Sequence, residues 1–292
     1  MPFFRTVVFP LLVCVNTAAA QSVLRLPVST RALGMANAAV TGRDEDVLFY
    51  NPAQIVIARG TSVSMERLSA TATSGSLASV IRFSTGGIAL GMSMVDFQAQ
   101  TARTDLLRDE IIAAGPVAGT SVAASVGLAQ VIKTIRIGVA GKYVEDHVGA
   151  ARDGRAMFDF GLSRDLLRFY SAGIAVQNVS FRAKLPVTRP RLSVGGAMSR
   201  GVGPYDVLAT AAVVADSYRG DTHIAPAGGL EVGWGWISGY SIAARAGLRS
   251  PLAGERAPTL GAGFNADRLS VDYALETLTG SRVAHRFGLR IR

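Results

Sequence analysis

From residue 111 to residue 132 the chain carries no charge, a run long enough to cross a bilayer as a helix. Its internal pattern argues against one. Gly115-Pro116 breaks the run near its start, and from Ser121 onward Val122, Ala124, Val126 and Leu128 alternate with Ser121, Ala123, Ser125, Gly127 and Ala129. A period of two predicts a strand with one apolar face and one face of small residues.

The same alternation recurs along the chain. Ile88, Leu90, Met92 and Met94 oppose Ala89, Gly91 and Ser93; Ile135, Ile137, Val139 and Tyr143 oppose Arg136, Gly138, Ala140 and Lys142. Near the end, Leu269, Val271, Tyr273 and Leu275 oppose Arg268, Ser270, Asp272 and Ala274, and Val283, Phe287, Leu289 and Ile291 oppose Arg286, Gly288, Arg290 and Arg292. Several stretches reach the roughly nine to eleven residues that a tilted strand needs to cross a membrane. Turn signals such as Thr85-Gly86-Gly87, Asn265-Ala266-Asp267 and Thr279-Gly280-Ser281 separate them. The fold class this predicts is all-β, a transmembrane antiparallel β-barrel of about 14 strands. Residues 76–83 and 206–215 alternate less clearly. A soluble secreted β-protein would show the same period, but its second face would be rich in Thr, Lys, Glu and Asn for water. Here that face is Gly, Ala and Ser with scattered Arg and Asp, which suits a crowded lumen.

Residues 1–20 read as a cleaved signal peptide, with Arg5, an apolar core over 6–15 and Ala18-Ala19-Ala20 before Gln21. Val13 ahead of Cys14 speaks against a lipoprotein signal. Cleavage removes Cys14, the single cysteine, so disulfides and thiolate metal sites are excluded. It also lowers the net charge from +9 to +8, because Arg5 is the one charge lost. An exported chain does not meet nucleic acid, so the basic residues need another account.

Three regions follow: the signal at 1–20, an N-terminal plug segment at 21–60 and the barrel at 61–292. Within the plug, residues 31–59 hold small residues, the acidic Asp44-Glu45-Asp46 and an apolar run broken by Asn51-Pro52. Pro52 biases Asn51 away from helix, so 47–50 and 53–57 are expected as two helical turns joined at a bend, the first capped by Asp44 or Asp46. Longer connections are expected at 98–118, 147–155, 179–189, 215–223 and 250–258, with a helical turn over 105–112.

No catalytic constellation is present. His147, His223 and His285 are isolated, Arg191 stands where the first glycine of a nucleophile elbow around Ser193 would be, and Gly261-x-Gly263 is no dinucleotide fingerprint. The expectation is a non-enzyme with no cofactor and no metal. Arg136, Lys142, Arg191, Arg245, Arg249, Arg268, Arg286 and Arg290 all fall on the small-residue face, with Asp159, Glu231 and Asp272 among its few acids. Enclosed charge needs partners, so a salt-bridged interior is favoured over a free basic lumen, with Asp272 pairing to Arg286 or Arg290. Trp234 and Trp236 share one strand face, as membrane-interface anchors do.

The plug segment carries a resemblance. Arg31-Ala32-Leu33-Gly34-Met35-Ala36-Asn37-Ala38, then Arg43-Asp44-Glu45-Asp46, then Tyr50-Asn51-Pro52-Ala53, resembles the N-terminal signature of the PorV/PorQ family, within the FadL-like group of outer-membrane barrels. That signature has Gly-Gly where this chain has Ala36-Asn37, and glycine at Gln54; the chain also ends in Arg292 rather than an aromatic residue. The resemblance implies a fourteen-stranded barrel with a luminal N-terminal segment whose motif residues are Gly34, Met35, Asp44, Asp46, Tyr50, Asn51 and Pro52. It also implies an outer-membrane location and, as partners, outer-membrane lipid with secretion-system proteins or exported substrates, in an accessory role in secretion or surface attachment. The FadL-like alternative is a channel for long-chain or hydrophobic small molecules.

Overall fold

The computed structural model describes residues 23–105, 110–149, 151–180, 190–218, 221–250, 257–278 and 282–292. Residues 1–20, expected as a signal peptide, lie outside them. The fourteen strands are β1 (Gly60–Ser69), β2 (Ala72–Phe83), β3 (Gly86–Asp105), β4 (Glu110–Ile132), β5 (Ile135–Val148), β6 (Ala151–Leu167), β7 (Tyr170–Val179), β8 (Arg191–Val202), β9 (Tyr205–Tyr218), β10 (Asp221–Ile237), β11 (Tyr240–Arg249), β12 (Ala257–Ala266), β13 (Leu269–Leu278) and β14 (Arg282–Ile291). Each pairs antiparallel with the next, and β1 closes on β14 in the register Thr61 to Ile291 through Arg67 to His285. Closure leaves no free edge, the condition for a sheet to sit in lipid.

Side-chain alternation explains the closure. Val63, Met65, Leu77, Ile81, Leu90 and Phe287 point outward and stay exposed, Ile81 by 71%, while Ser62, Ser64, Ser76, Ala78 and Ala89 point inward and are buried. An exposed apolar band around a small-residue interior is the inverse of a soluble core and belongs in lipid. Residues 76–83, which alternate weakly in sequence, obey the same rule inside β2.

Six connections at one end are two-residue turns: Ser84-Thr85, Lys133-Thr134, Arg168-Phe169, Gly203-Pro204, Ser238-Gly239 and Asp267-Arg268. The other end holds the long connections after Val179 and Arg249. Outer-membrane barrels put short turns in the periplasm, which orients the molecule. Phe169, Tyr170, Tyr205, Trp234 and Trp236 lie exposed at this periplasmic end, with Trp234 and Trp236 ring centroids 5.4 Å apart.

Three expected connections are instead largely strand. β3 runs to Asp105 and β4 starts at Glu110, so the helical turn over 105–112 is replaced by a long hairpin; residues 106–109 lie outside the described set. Likewise β5 and β6 extend to Val148 and from Ala151, and β9 and β10 to Tyr218 and from Asp221. The reason is physical. At 23 residues, β4 is roughly 75 Å long at about 3.3 Å per residue. Its outer part clears the membrane, where water on both faces removes the apolar alternation while backbone pairing persists.

Residues 23–59 fill the lumen. They form 3-10 turns at Val23–Arg25, Glu45–Phe49 and Pro52–Val56 and a short helix α1 (Thr30–Gly34). Ser29 caps α1, its hydroxyl accepting from the Ala32 amide. Asn51 caps the turn at Pro52–Val56 and Pro52 opens it, as the sequence bend requires. Asp44 precedes the turn at Glu45–Phe49 without making a side-chain cap, because Arg31 takes its carboxylate.

Candidate functional site

The plug meets the wall in two different ways. On the β2–β6 side, Val47, Leu48, Ile55, Val56 and Ala58 pack against Val80, Ala89, Ala129 and Ala140. The wall there is hollowed by glycine. A Cβ on Gly138 would stand 2.3 Å from the Pro52 carbonyl carbon, and one on Gly161 would stand 2.0 Å from Asn51 Oδ1. No real Cβ fits at such distances, so these glycines are the footprint of the plug on the wall. Asn51 fixes the bend by donating from Nδ2 to the Val40 carbonyl at 2.9 Å and accepting at Oδ1 from the Ala53 amide at 3.1 Å. Tyr50 ties the bend to the segment ahead of α1: its hydroxyl accepts from the Val28 and Ser29 amides and donates to Asn37 Oδ1 at 2.7 Å.

On the β10–β14 side the plug is held by charge. Arg31 donates to Asp44 Oδ1 at 2.5 Å and, through Nε and Nη2, to Glu231 at 2.8 and 2.6 Å. Glu231 also accepts from Arg245, which reaches Asp272 Oδ1 at 2.7 Å, and Asp272 Oδ2 accepts from Arg290 Nε at 2.6 Å. Cations and anions alternate along this chain and balance, as buried charge demands. Burial alone would push the Asp44 carboxyl up, but Arg31 beside it holds it below the usual carboxylate range. Met35 and Gly34 settle on glycines here as well, Met35 over Gly229 and Gly34 against Gly261.

Further luminal ion pairs surround these. Arg286, 1% exposed, donates to Glu66 Oε2 at 2.7 Å and to the Pro27 and Val28 carbonyls at 2.5 and 2.8 Å, clamping the start of the plug. Lys142 Nζ lies 2.6 Å from Asp159 Oδ2 and donates to Asn178 Oδ1 at 2.9 Å. Asn178 has left-handed backbone (φ 61°) at a bulge between β6 and β7. Arg136 makes a two-pronged contact with Asp165 at 2.9 Å. Arg268 departs from the expected inward set: it occupies the exposed turn after β12, one residue short of the alternating segment. Of the two partners expected for Asp272, Arg290 is bound, whereas Arg286 turns to Glu66.

Asp46 is buried beside Ser62, which donates to it, and among the described residues no ion pair is made to it. Burial, reinforced by Asp44 and Glu45, pushes its carboxyl up to about 6 against the pull of Ser62 and Ser29. Burial likewise raises Glu45, which accepts from Arg292 Nε at 2.9 Å. Among the described residues no group of His, Cys, Asp or Glu is placed to hold a metal ion.

Sequence reasoning overlooked Glu66 and Asn178. Glu66 was accessible, since it continues the inward parity of Ser62 and Ser64. Asn178 needed the bulge to be known, whereas Gln177, donating to the Phe49 carbonyl at 2.7 Å, keeps the inward parity of Ser171, Gly173 and Ala175.

Two regions flank the plug, one packed and one open. Toward the cell exterior, the inward residues Val95, Val144, Met157, Leu68 and Phe97 make an apolar surface covered by Val23, Leu24 and Leu26. Toward the periplasm, between plug residues 31–43 and the wall of β8–β13, lies a vestibule of about 690 Å³ lined by Arg31, Met35, Arg43, Glu231, Trp234 and Arg290 among others.

Several solved channels share this architecture. The toluene transporter TodX of Pseudomonas putida aligns with a TM-score of 0.57 at 10% identity, covering 84% of this chain and 92% of its own. The toluene transporter TbuX of Ralstonia pickettii gives 0.57 at 12%, covering 89% and 97%, and the monoaromatic hydrocarbon channel CymD gives 0.57 at 12%, covering 90% and 96%. The chain has the fold of these channels. No protein-family model and no curated protein matches the sequence.

Proposed function

We propose that this protein is an outer-membrane conduit for hydrophobic small molecules, gated by its N-terminal plug. The observation that carries the reading is the inward apolar surface of Val95, Phe97, Val144 and Met157 in the outer half of a lumen otherwise lined by Ser, Gly, Ala and paired charges. Val23, Leu24 and Leu26 cover this surface in the closed state, and an apolar guest is what would replace them when the plug moves, since bare apolar wall would face water. The fold shared with toluene and monoaromatic hydrocarbon channels supports the same reading. Passage to the periplasm requires the plug to move, and the vestibule beside residues 31–43 gives that half somewhere to go.

The test is binding of the apolar fluorescent probe N-phenyl-1-naphthylamine to the detergent-purified barrel. Wild type binds it saturably, and Val144→Glu with Met157→Glu abolishes binding while heat-modifiable migration shows an intact barrel. Unchanged binding in the double variant contradicts the reading.

The secretion-accessory role implied by the PorV/PorQ resemblance is the second reading, and one observation favours it: the plug is pinned to the wall by ion pairs, Arg25 to Asp216 on β9, Arg31 to Glu231 on β10 and Glu45 to Arg292 after β14. Stable co-purification with secretion components from mildly solubilised outer membrane, without probe binding, would establish it instead.

A further inference from the structure

Near its periplasmic end the outer wall carries a cluster of cations. Arg164 on β6 and Arg200 on β8 share the outward parity of their exposed neighbours Leu162, Leu166, Val194 and Val202. Arg168 lies between them in the β6–β7 turn. The guanidinium carbons of Arg168 and Arg200 each sit 5.7 Å from the centre of the Phe169 ring. Beside Arg164 the outward residues of β7 and β8 are Ala172 and Gly196, a registered pair of small residues that leaves a shallow groove, and Tyr170 and Met198 stand between that row and Arg200.

These arginines lack carboxylate partners among the described residues. Asp165 turns inward to Arg136, and Asp206 faces the vestibule. The extracellular rim differs: there Arg152 is paired with Glu145, 2.8 Å away. An unpaired cluster of cations amid exposed Leu, Phe, Tyr and Val sits at the depth where lipid headgroups meet the apolar band.

We propose that Arg164, Arg168 and Arg200 form a binding site for an anionic phospholipid of the periplasmic leaflet. The guanidinium forks take the headgroup phosphate. The groove at Ala172 and Gly196 and the exposed Leu162, Ile174 and Val194 take the acyl chains. Lipid fits better than an acidic periplasmic protein, because the cluster faces sideways from the wall rather than into the aqueous vestibule.

The experiment uses the full barrel, purified in detergent, stripped of lipid and titrated with phosphatidylglycerol or phosphatidylcholine while native mass spectrometry counts bound lipids. Wild type retains phosphatidylglycerol over phosphatidylcholine. Arg164→Gln/Arg168→Gln/Arg200→Gln weakens phosphatidylglycerol retention by about 100-fold, at about fivefold per cation near a membrane surface. Arg43→Gln/Arg59→Gln, which removes exposed cations of the periplasmic face that line the vestibule, retains the lipid. Heat-modifiable migration confirms that each variant is folded. Equal retention by the triple variant and wild type, equal retention of the two lipids, or an equal loss in the vestibule control overturns the proposal.

Discussion

The two halves of the plug are seated by different physics. Residues 45–57 lie on β2–β6 through apolar side chains pressed onto glycines, whereas α1 and its neighbours lie on β10–β14 through alternating ion pairs. Apolar burial is stabilising at each contact and needs no partner geometry. Enclosed ion pairs recover little beyond their own desolvation, yet one left without its partner is costly. The apolar half is therefore the anchor. The charged half is held in register by pairs that can exchange partners, and the vestibule lies beside it.

The largest expected effect is at the clamp where the plug begins. Arg286→Met leaves Glu66 buried without its cation and frees two carbonyls, lowering stability by about 4 kcal/mol in chemical denaturation. Adding Glu66→Met restores most of it, since the loss belongs to the stranded charge rather than to a strong bond. On the apolar half, Gly138→Val drives a Cβ into Pro52 and costs about 3 kcal/mol through overpacking. Its readout is the appearance of large conductance in planar bilayers from barrels that still migrate as folded.

A pH titration sharpens the comparison further. Asp46 has a folded pKa raised to about 6 from 3.8, so the folded state holds its proton more tightly than the unfolded chain does. Its favourable contribution is full below about pH 4 and is lost as pH rises through 6, a change of about 3 kcal/mol. Asp46→Asn therefore flattens the stability profile between pH 4 and 7 relative to wild type; an unchanged slope would place the titration elsewhere. The smallest effect is at Ala36, whose φ of 56° is left-handed. Ala36→Gly should raise the melting temperature by a few degrees, equivalent to about 1 kcal/mol.

That last position shows what could be read from the chain. Ala36 and Asn37, which replace Gly-Gly in the resembling signature, both keep the left-handed backbone that glycines would adopt (φ 56° and 62°). The barrel was legible because its rule is local: alternate residues face lipid or lumen, whatever their partners. The bend at Asn51-Pro52 was legible for the same reason. The hairpin of β3 and β4 was misread because outside the membrane nothing forces alternation. The pairings within the lumen were hidden by distance along the chain: Arg286 meets Glu66 220 residues away, and only the path of the plug decides which glycine lies under which side chain.

Disulfide staples test the division most directly, since cleavage of the expected signal would leave a cysteine-free chain. Gly34 and Gly261 approach closely enough for a bridge on the charged half, and Ile55 with Gly87 on the apolar half. Flux of an apolar probe into liposomes is measured for Gly34→Cys/Gly261→Cys and for Ile55→Cys/Gly87→Cys, oxidised and then reduced. The account predicts that the first staple stops flux until reductant restores it, while the second leaves flux unchanged. Flux that survives the first staple and stops with the second would contradict it.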